Sequence, residues 1–295
     1  MSPSSSNPPN PPDPSGNPRG RWSDLERPPL GVASLRRALV RPDGLWTSLD
    51  VVESVGSTNT ELAERVRAGA AGEGTVLVAE EQTAGRGRLE RSWTAPPRSG
   101  IFFSAVLEPG APVQRWGWLP LLAGVATASA LARTAGVDMA LKWPNDLLAD
   151  VGGEERKIGG ILAERAGDRA VVLGIGLNVS LHADELPVPA AGSLALAGAR
   201  ATDRDPLLRA VLREIDDWYG RWNAAEGDPT ESMLLEAYAA GCATLGRTVR
   251  VELPGGEQLT GEAVAVDGDG RLVLATPDAV QRPVAAGDIV HLRTA

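Results

Sequence analysis

Cysteine is nearly absent from this chain: Cys242 is the only one in 295 residues. No internal disulfide can form, and an oxidising compartment is not indicated. Histidine is almost as scarce. His182 and His291 are the two present, and neither has another metal-type ligand near it in sequence. A zinc site or a Cys–His nucleophile pair is therefore not expected. Long apolar runs are missing as well. The most apolar stretch, Leu119 to Ala132, contains Gly, Thr and Ser and stops at Arg133; it reads as a buried helix rather than a membrane span. No apolar segment follows Met1 as it would in a secretory signal. Positive charge is in deficit too, with a formal net charge of −9, so no global basic field exists to hold nucleic acid or an anionic membrane.

The scarcity of lysine is more telling than the net charge. Of 29 basic residues only Lys142 and Lys157 are lysine, and the rest are arginine. A position that stays lysine in such a background needs a compact point charge or a narrower side chain. Lys142 sits in Leu141-Lys142-Trp143-Pro144-Asn145-Asp146, a polar turn after an apolar strand, where a functional role is the better reading. Lys157 taken alone does not stand out from chance survival.

What is present describes one large domain and a small one. The length allows a substantial core, and 43% hydrophobic content fits a soluble globular protein. Residues 1–30 are rich in Ser, Pro, Asn and Gly and are expected to be a disordered tail. From Gly31 a short helix runs through Leu35 and Leu39. Thr58 to Glu61 fits a capping box for a helix stopped at Gly69. Strands are expected at Thr75–Ala79, Ile101–Leu107 and Met139–Leu141, with a long helix over 117–135. Lys157–Glu164 and Ala170–Val179 read as paired strands around Gly167-Asp168. Asp205-Pro206 caps a helix to about Asn223, and Thr230 to Ala240 forms another, stopped by Gly241. The pattern lacks regular βαβ alternation and predicts a mixed α+β domain over 31–244. From 245 to 295 only short strands separated by Gly/Asp turns remain: Thr248–Leu253, Gln258–Val266, Arg271–Ala275, Val280–Pro283 and Ile289–Arg293. Five of them predict a small C-terminal β-barrel.

The chemistry concentrates in Gln82-Thr-Ala-Gly85-Arg86-Gly87-Arg88-Leu-Glu-Arg91-Ser-Trp93. Glycine lets backbone N–H groups approach a ligand closely. Arginine brings planar donors matched to carboxylate and phosphate, and Trp93 offers a flat face for a heteroaromatic ring. Such a loop can close over an anionic, nucleotide-like ligand. Ser57-Thr58-Asn59 places three short polar side chains at a helix start, suited to a small polar head group as well as to capping. No P-loop occurs. Gly174-Ile-Gly176-Leu-Asn178-Val179 starts like a dinucleotide fingerprint but has Val179 at the third glycine and lies in a strand. Those glycines serve either strand packing or close approach of backbone to a ligand.

Taken in order, Ser57-Thr58-Asn59, Gln82, Gly85-Arg86-Gly87-Arg88 with Arg91 and Trp93, Lys142-Trp143-Pro144-Asn145-Asp146, Lys157-Ile-Gly-Gly160-Ile-Leu162 and Gly174-Ile-Gly176-Leu-Asn178 resemble the biotin protein ligase family over about residues 45–295. The resemblance implies a catalytic domain like that of class II aminoacyl-tRNA synthetases, on a mixed sheet. It implies the monofunctional type, since some thirty residues before the catalytic domain are too few for a winged helix-turn-helix. It also implies ATP and biotin as substrates, with Mg²⁺ arriving with ATP, and no residue is assigned as a metal ligand. Biotinyl-5′-AMP would form and pass to a lysine of a biotin carboxyl carrier domain, in the cytoplasm, without nucleic-acid or membrane partners. By the same resemblance Ser57, Thr58, Asn59 and Gln82 recognise the ureido head, and Arg86, Gly87 and Arg88 cover biotin and phosphate. Arg91 and Trp93 lie toward the nucleotide, with Asn178 near its sugar or base. Lys142 bridges the biotin carboxylate and the α-phosphate, and the glycines of Gly159-Gly160 and Gly174/Gly176 let the strands approach the fused rings. A lipoate–protein ligase of the same fold and a non-catalytic biotin-binding module are the alternatives; an apolar pocket in place of the 57–59 cluster would favour the first, absence of pyrophosphate release the second.

Overall fold

The computed structural model describes residues 27–89, 91–253, 255–278 and 280–292. The tail expected to be disordered thus lies, over residues 1–26, outside the described residues. Its last four residues do not behave as a tail. Leu30 is buried, its amide donates to Glu80 Oε1 at 2.6 Å, and the Pro28 carbonyl accepts from Arg204 Nη2 at 2.6 Å.

A seven-stranded sheet forms the larger part. In chain order its strands are β1 (Ser48–Val52), β2 (Thr75–Ala79), β5 (Gly100–Leu107), β6 (Ala140–Lys142), β7 (Asp146–Val151), β8 (Glu154–Ala166) and β9 (Ala170–Asn178); β3 (Gly85–Arg86) and β4 (Ser92–Trp93) pair as a separate small hairpin. The spatial order is β1-β2-β5-β9-β8-β7-β6. The β1–β2 pair is parallel and the other pairs are antiparallel, which makes the sheet mixed. All eight residues of β5 are buried, because both faces of the sheet are covered. Ile101, Phe103, Ala105 and Leu107 join the main core. On the opposite face Val106 packs with Leu62 and Ala63 of α2 (Thr58–Arg67). Helices α1 (Val32–Leu39), α3 (Leu119–Thr134), α4 (Arg204–Ala224) and α5 (Leu234–Gly241) complete the domain. Ten residues of α3 are buried; a helix apolar nearly all round must be covered nearly all round, and α3 packs against both α4 and strands β6–β8.

Several local expectations change. Thr58 is the first residue of α2, not its cap; Ser57 holds the cap position without a side-chain bond, and Glu61 pairs with Arg65 instead. The cap of α4 is Asp203, whose carboxylate accepts from the Asp205 amide at 3.1 Å. Asp205 is occupied elsewhere, accepting from the Gly31 amide at 3.0 and 3.1 Å. The segment from Thr230 is a turn held by Asp228 Oδ1; Met233, at φ 62°, delays the start of α5 to Leu234. Strands β1 and β7 have no counterpart in the sequence expectation. The first is largely half-exposed, and the second begins inside what reads as a polar turn. The Trp143–Pro144 peptide within that turn is cis.

The C-terminal strands β10 (Thr248–Glu252), β11 (Gln258–Val266), β12 (Leu272–Ala275), β13 (Gln281–Val284) and β14 (Asp288–His291) form an antiparallel sheet in the order β13-β12-β11-β10-β14. No ladder joins β13 to β14 among the described residues, so hydrogen bonding does not close the small barrel there. Val249, Val251, Leu272 and Leu274 belong to the same apolar cluster as Trp118 and Trp143. The two indole N–H groups donate to Gly268 and Gly270 carbonyls, each at 3.0 Å.

Glu80 and Arg204 form a deeply buried ion pair, 2.6 Å apart with side-chain exposures of 7% and 5%. The same two side chains bond the Leu30 amide and the Pro28 and Gly100 carbonyls. Arg204→Ala would strand the Glu80 charge, and the expected loss is about 3–5 kcal/mol. Urea denaturation checks this; a loss below about 1 kcal/mol would show that the pair does not hold the segment.

Candidate active site

A cavity of about 910 Å³ opens between the α2 N-terminus, the β3–β4 hairpin, the β6–β7 turn and the strands β8 and β9. Every residue that the sequence singles out as a site residue lines it: Ser57, Thr58, Asn59, Gln82, Arg86, Gly87, Arg88, Arg91, Trp93, Lys142, Gly160, Gly176 and Asn178.

One wall is a buried polar cluster. Gln82 Oε1 accepts from the Thr58 amide at 2.8 Å and its hydroxyl at 3.1 Å. A side chain 24 residues away thus satisfies one of the open amides of the α2 N-terminus. Ser104 Oγ lies 2.7 Å from Thr58 Oγ1 and 2.6 Å from Asn59 Oδ1. Asn59 Nδ2 donates to the Leu162 carbonyl at 3.1 Å and to Glu164 Oε2 at 2.9 Å. These partners fix the orientation of the Asn59 amide. Neither Ser104 nor Glu164 is recognisable from sequence, because nothing local marks a serine within an apolar strand or a glutamate in β8 as a site residue.

The floor is made by missing side chains. Gly160 pairs with Gly176 and Leu162 with Gly174 across β8 and β9. A Cβ at Gly174 would meet Asn59 Oδ1 at 2.1 Å, and one at Gly176 or Gly160 would meet the Trp93 ring at 3.1 or 3.3 Å. Gly159 faces the other way, toward Leu177 and Leu147. It is a packing glycine and does not approach a ligand.

The cations form the roof and the far wall. In the β3–β4 hairpin the Gly87 amide donates to the Arg91 carbonyl at 2.6 Å. Arg86 pairs with Glu164 at 3.1 Å. Among the described residues Arg88 makes only long bonds, to Asn145 Oδ1 at 3.3 Å and the Gly287 carbonyl at 3.4 Å. Arg91 pairs with Asp288 on β14. Lys157 Nζ lies 2.5 Å from Asp146 Oδ1 and 5.7 Å above the Trp93 ring, so the lysine that sequence does not separate from chance is part of the cavity. Lys142, cross-strand from Asp146, makes no side-chain hydrogen bond or ion pair among the described residues. Burial is the main cause lowering its pKa, and nearby Lys157 adds to this while Asp146 opposes it. Burial likewise lowers that of Arg88. Near the Pro187–Ala191 segment, Asn178 Nδ2 donates to the Gly192 carbonyl at 2.9 Å, while its Oδ1 is buried without a partner among the described residues. The cavity therefore offers a polar recess at one side, unspent positive charge at the other, and an open acceptor between β9 and the loop that follows it.

The Biotin/lipoate A/B protein ligase family model matches residues 51–180, and the biotin protein ligase C-terminal domain model matches residues 244–292. Over 276 residues the chain is 45% identical to the biotin–[acetyl-CoA-carboxylase] ligase of Mycobacterium tuberculosis, covering 92% of this chain and 98% of that protein. It is 34% identical over 240 residues to the bifunctional ligase/repressor BirA of Bacillus subtilis, covering 79% of this chain and 70% of the relative. The structure of the Aquifex aeolicus biotin protein ligase in complex with biotin and ATP superposes with a TM-score of 0.67 at 28% identity, over 84% of this chain and all of that one. With a mixed sheet, a five-stranded C-terminal sheet and a 45% identical relative matched across nearly its whole length, the chain belongs to the biotin protein ligase family.

Proposed function

We propose that this chain is an ATP-dependent biotin protein ligase that makes biotinyl-5′-AMP and passes biotin to a lysine on the carrier domain of acetyl-CoA carboxylase. The observation that carries the reading is the pairing, in one cavity, of the Ser57–Asn59 and Gln82 polar cluster with a far wall bearing Lys142, Lys157 and Arg88. A ureido ring needs such partners, whereas a lipoyl dithiolane would be served by an apolar recess. In the first step a biotin carboxylate oxygen attacks the α-phosphorus, and pyrophosphate leaves with the electrons of the broken P–O bond. In the second, the carrier amine attacks the acyl carbon, loses a proton, and AMP departs. Neither step uses an enzyme nucleophile; both need alignment and compensation of negative charge.

In this reading Ser57, Thr58, Asn59 and Gln82 hold the ureido head, preset by Ser104 and Glu164. Gly160 and Gly176 give the fused rings a flat floor beside Trp93. Arg86, Gly87 and Arg88 cover the carboxylate and phosphate, and Arg91 exchanges Asp288 for the nucleotide. The open Asn178 Oδ1 takes a donor from the sugar or base. Lys142 bridges the carboxylate oxygen and the α-phosphate, and Lys157, held by Asp146, adds a second positive charge to the same wall. No group of three His, Cys, Asp or Glu suited to a metal is found among the described residues. Mg²⁺ would come with ATP, bound mainly through phosphate oxygens and water. The reaction is assigned to the cytoplasm, and no helix among the described residues is long and apolar enough to cross a membrane.

ATP-dependent incorporation of labelled biotin, but not lipoate, into carrier domains is the expected result; the reverse preference would overturn the assignment. Lys142→Arg keeps the charge but broadens it, and should slow single-turnover biotinyl-AMP formation about a hundredfold, equivalent to about 3 kcal/mol. Circular dichroism serves as the fold control, and a rate within about threefold of wild type would remove Lys142 from the bridging role. Arg88→Ala removes a desolvated cation whose present bonds are long, so phosphate is its better partner. Biotinyl-AMP should dissociate at least about tenfold faster while biotin affinity stays within about threefold; equal dissociation rates would contradict this.

A further inference from the structure

We propose that His291 and Thr244 are a positioning pair for Lys142, setting its backbone through the Trp143 amide. The proposal rests on the adenylation reading above. Lys142 has no side-chain partner among the described residues and sits at the end of a three-residue strand. With no partner to draw the ammonium elsewhere, the backbone position sets the region that it can reach. The next residue, Trp143, donates its amide to Thr244 Oγ1 at 3.1 Å. Thr244 is fully buried, and the same oxygen lies 3.1 Å from His291 Nε2. The other ring nitrogen, Nδ1, lies 3.1 Å from Arg247 Nη1. A guanidinium has donors only, so Nδ1 must accept, and the ring proton sits on Nε2 and points at Thr244. Arg247 is held in turn by both oxygens of Glu155 on β8, at 2.8 and 2.7 Å. A continuous relay thus runs from Glu155 through Arg247, His291 and Thr244 to the backbone beside Lys142.

The relay works with a neutral imidazole. Lys142 of β6, Arg247 ahead of β10 and Glu155 of β8 are the charged groups that act on His291. Burial first, then the Lys142 and Arg247 charges, lower its pKa from 6.5 to about 4, against a smaller opposing effect of Glu155. A lowered folded-state value means that the arrangement contributes fully above the ordinary pKa of about 6.5 and is lost as pH falls through about 4. Once protonated, Nδ1–H would face an Arg247 N–H and the bond could not persist.

The two lysines make a direct test practical. Reductive ¹³C-methylation of the full chain labels Lys142 and Lys157 besides the α-amine, and NMR follows each through a pH titration. In His291→Ala and Thr244→Val the Lys142 signal should shift and its pKa rise toward the ordinary lysine value, with Lys157 unchanged. Single-turnover biotinyl-AMP formation should fall about tenfold while biotin affinity stays within about twofold. His291→Gln offers an amide N–H to Thr244 and a carbonyl to Arg247, and should recover most of the lost rate; Thr244→Ser should do the same. Variants that fold, by circular dichroism, yet keep both the wild-type rate and the wild-type Lys142 titration would overturn the proposal. So would a lowered melting temperature with an unmoved Lys142 signal, the mark of a purely structural brace. A wild-type chain that makes no biotinyl-AMP would instead defeat the adenylation reading, and the Lys142 titration would still decide the coupling.

Discussion

The site exists because three side chains are missing from the surface of two neighbouring strands. Gly174 and Gly176 on β9 and Gly160 on β8 leave the sheet bare where Asn59 and Trp93 lie against it. With a Cβ placed 2.1 Å from Asn59 Oδ1, the Asn59 amide would have to move, and its bonds to Ser104, Leu162 and Glu164 would go with it. Packed interiors do not absorb a displacement of that size locally. The polar cluster, the seat of Trp93 and the depth of the cavity all follow from this one steric allowance.

Positive charge gathers in the cavity of an otherwise acidic protein. Arg86 and Arg91 are tied to Glu164 and Asp288 in ion pairs that are partly exposed, and pairs of that kind contribute about 0–1 kcal/mol. They hold the hairpin lightly. Arg88 and Lys142 are more buried, and burial lowers the pKa of both. An anionic ligand would offset that desolvation.

The C-terminal sheet is built into this arrangement. Its Gly270 carbonyl holds the Trp143 indole, its Gly287 carbonyl faces Arg88, and its Asp288 holds Arg91. Trp143 in the β6–β7 turn and the arginine hairpin are thereby referred to one rigid partner. The apolar cluster that Val249, Val251 and Leu272 share with Trp118 and Trp143 makes that partner hard to move. Large apolar burial supplies the rigidity, and a few hydrogen bonds supply the registration.

Much of this was legible in the sequence, for local reasons. Apolar runs marked β2, β5 and β9 as strands, and the absence of βαβ alternation marked a mixed α+β domain. The Gly-Arg-Gly-Arg stretch, the 57–59 cluster and Lys142 stood out because their residue types are rare or chemically pointed where they occur. What tertiary structure alone decided are pairings over long separations. Gln82 replaces a local capping box because the chain returns beside α2. Lys157 joins the site because β8 lays it over Trp93. Ser104, Glu164, Asp288 and His291 acquire partners only through sheet register and the docking of a second sheet. Sequence patterning reports the face a residue presents and the conformation it prefers; which residue lies opposite is settled by register and packing, whose free energy is shared among many contacts and is written at no single position.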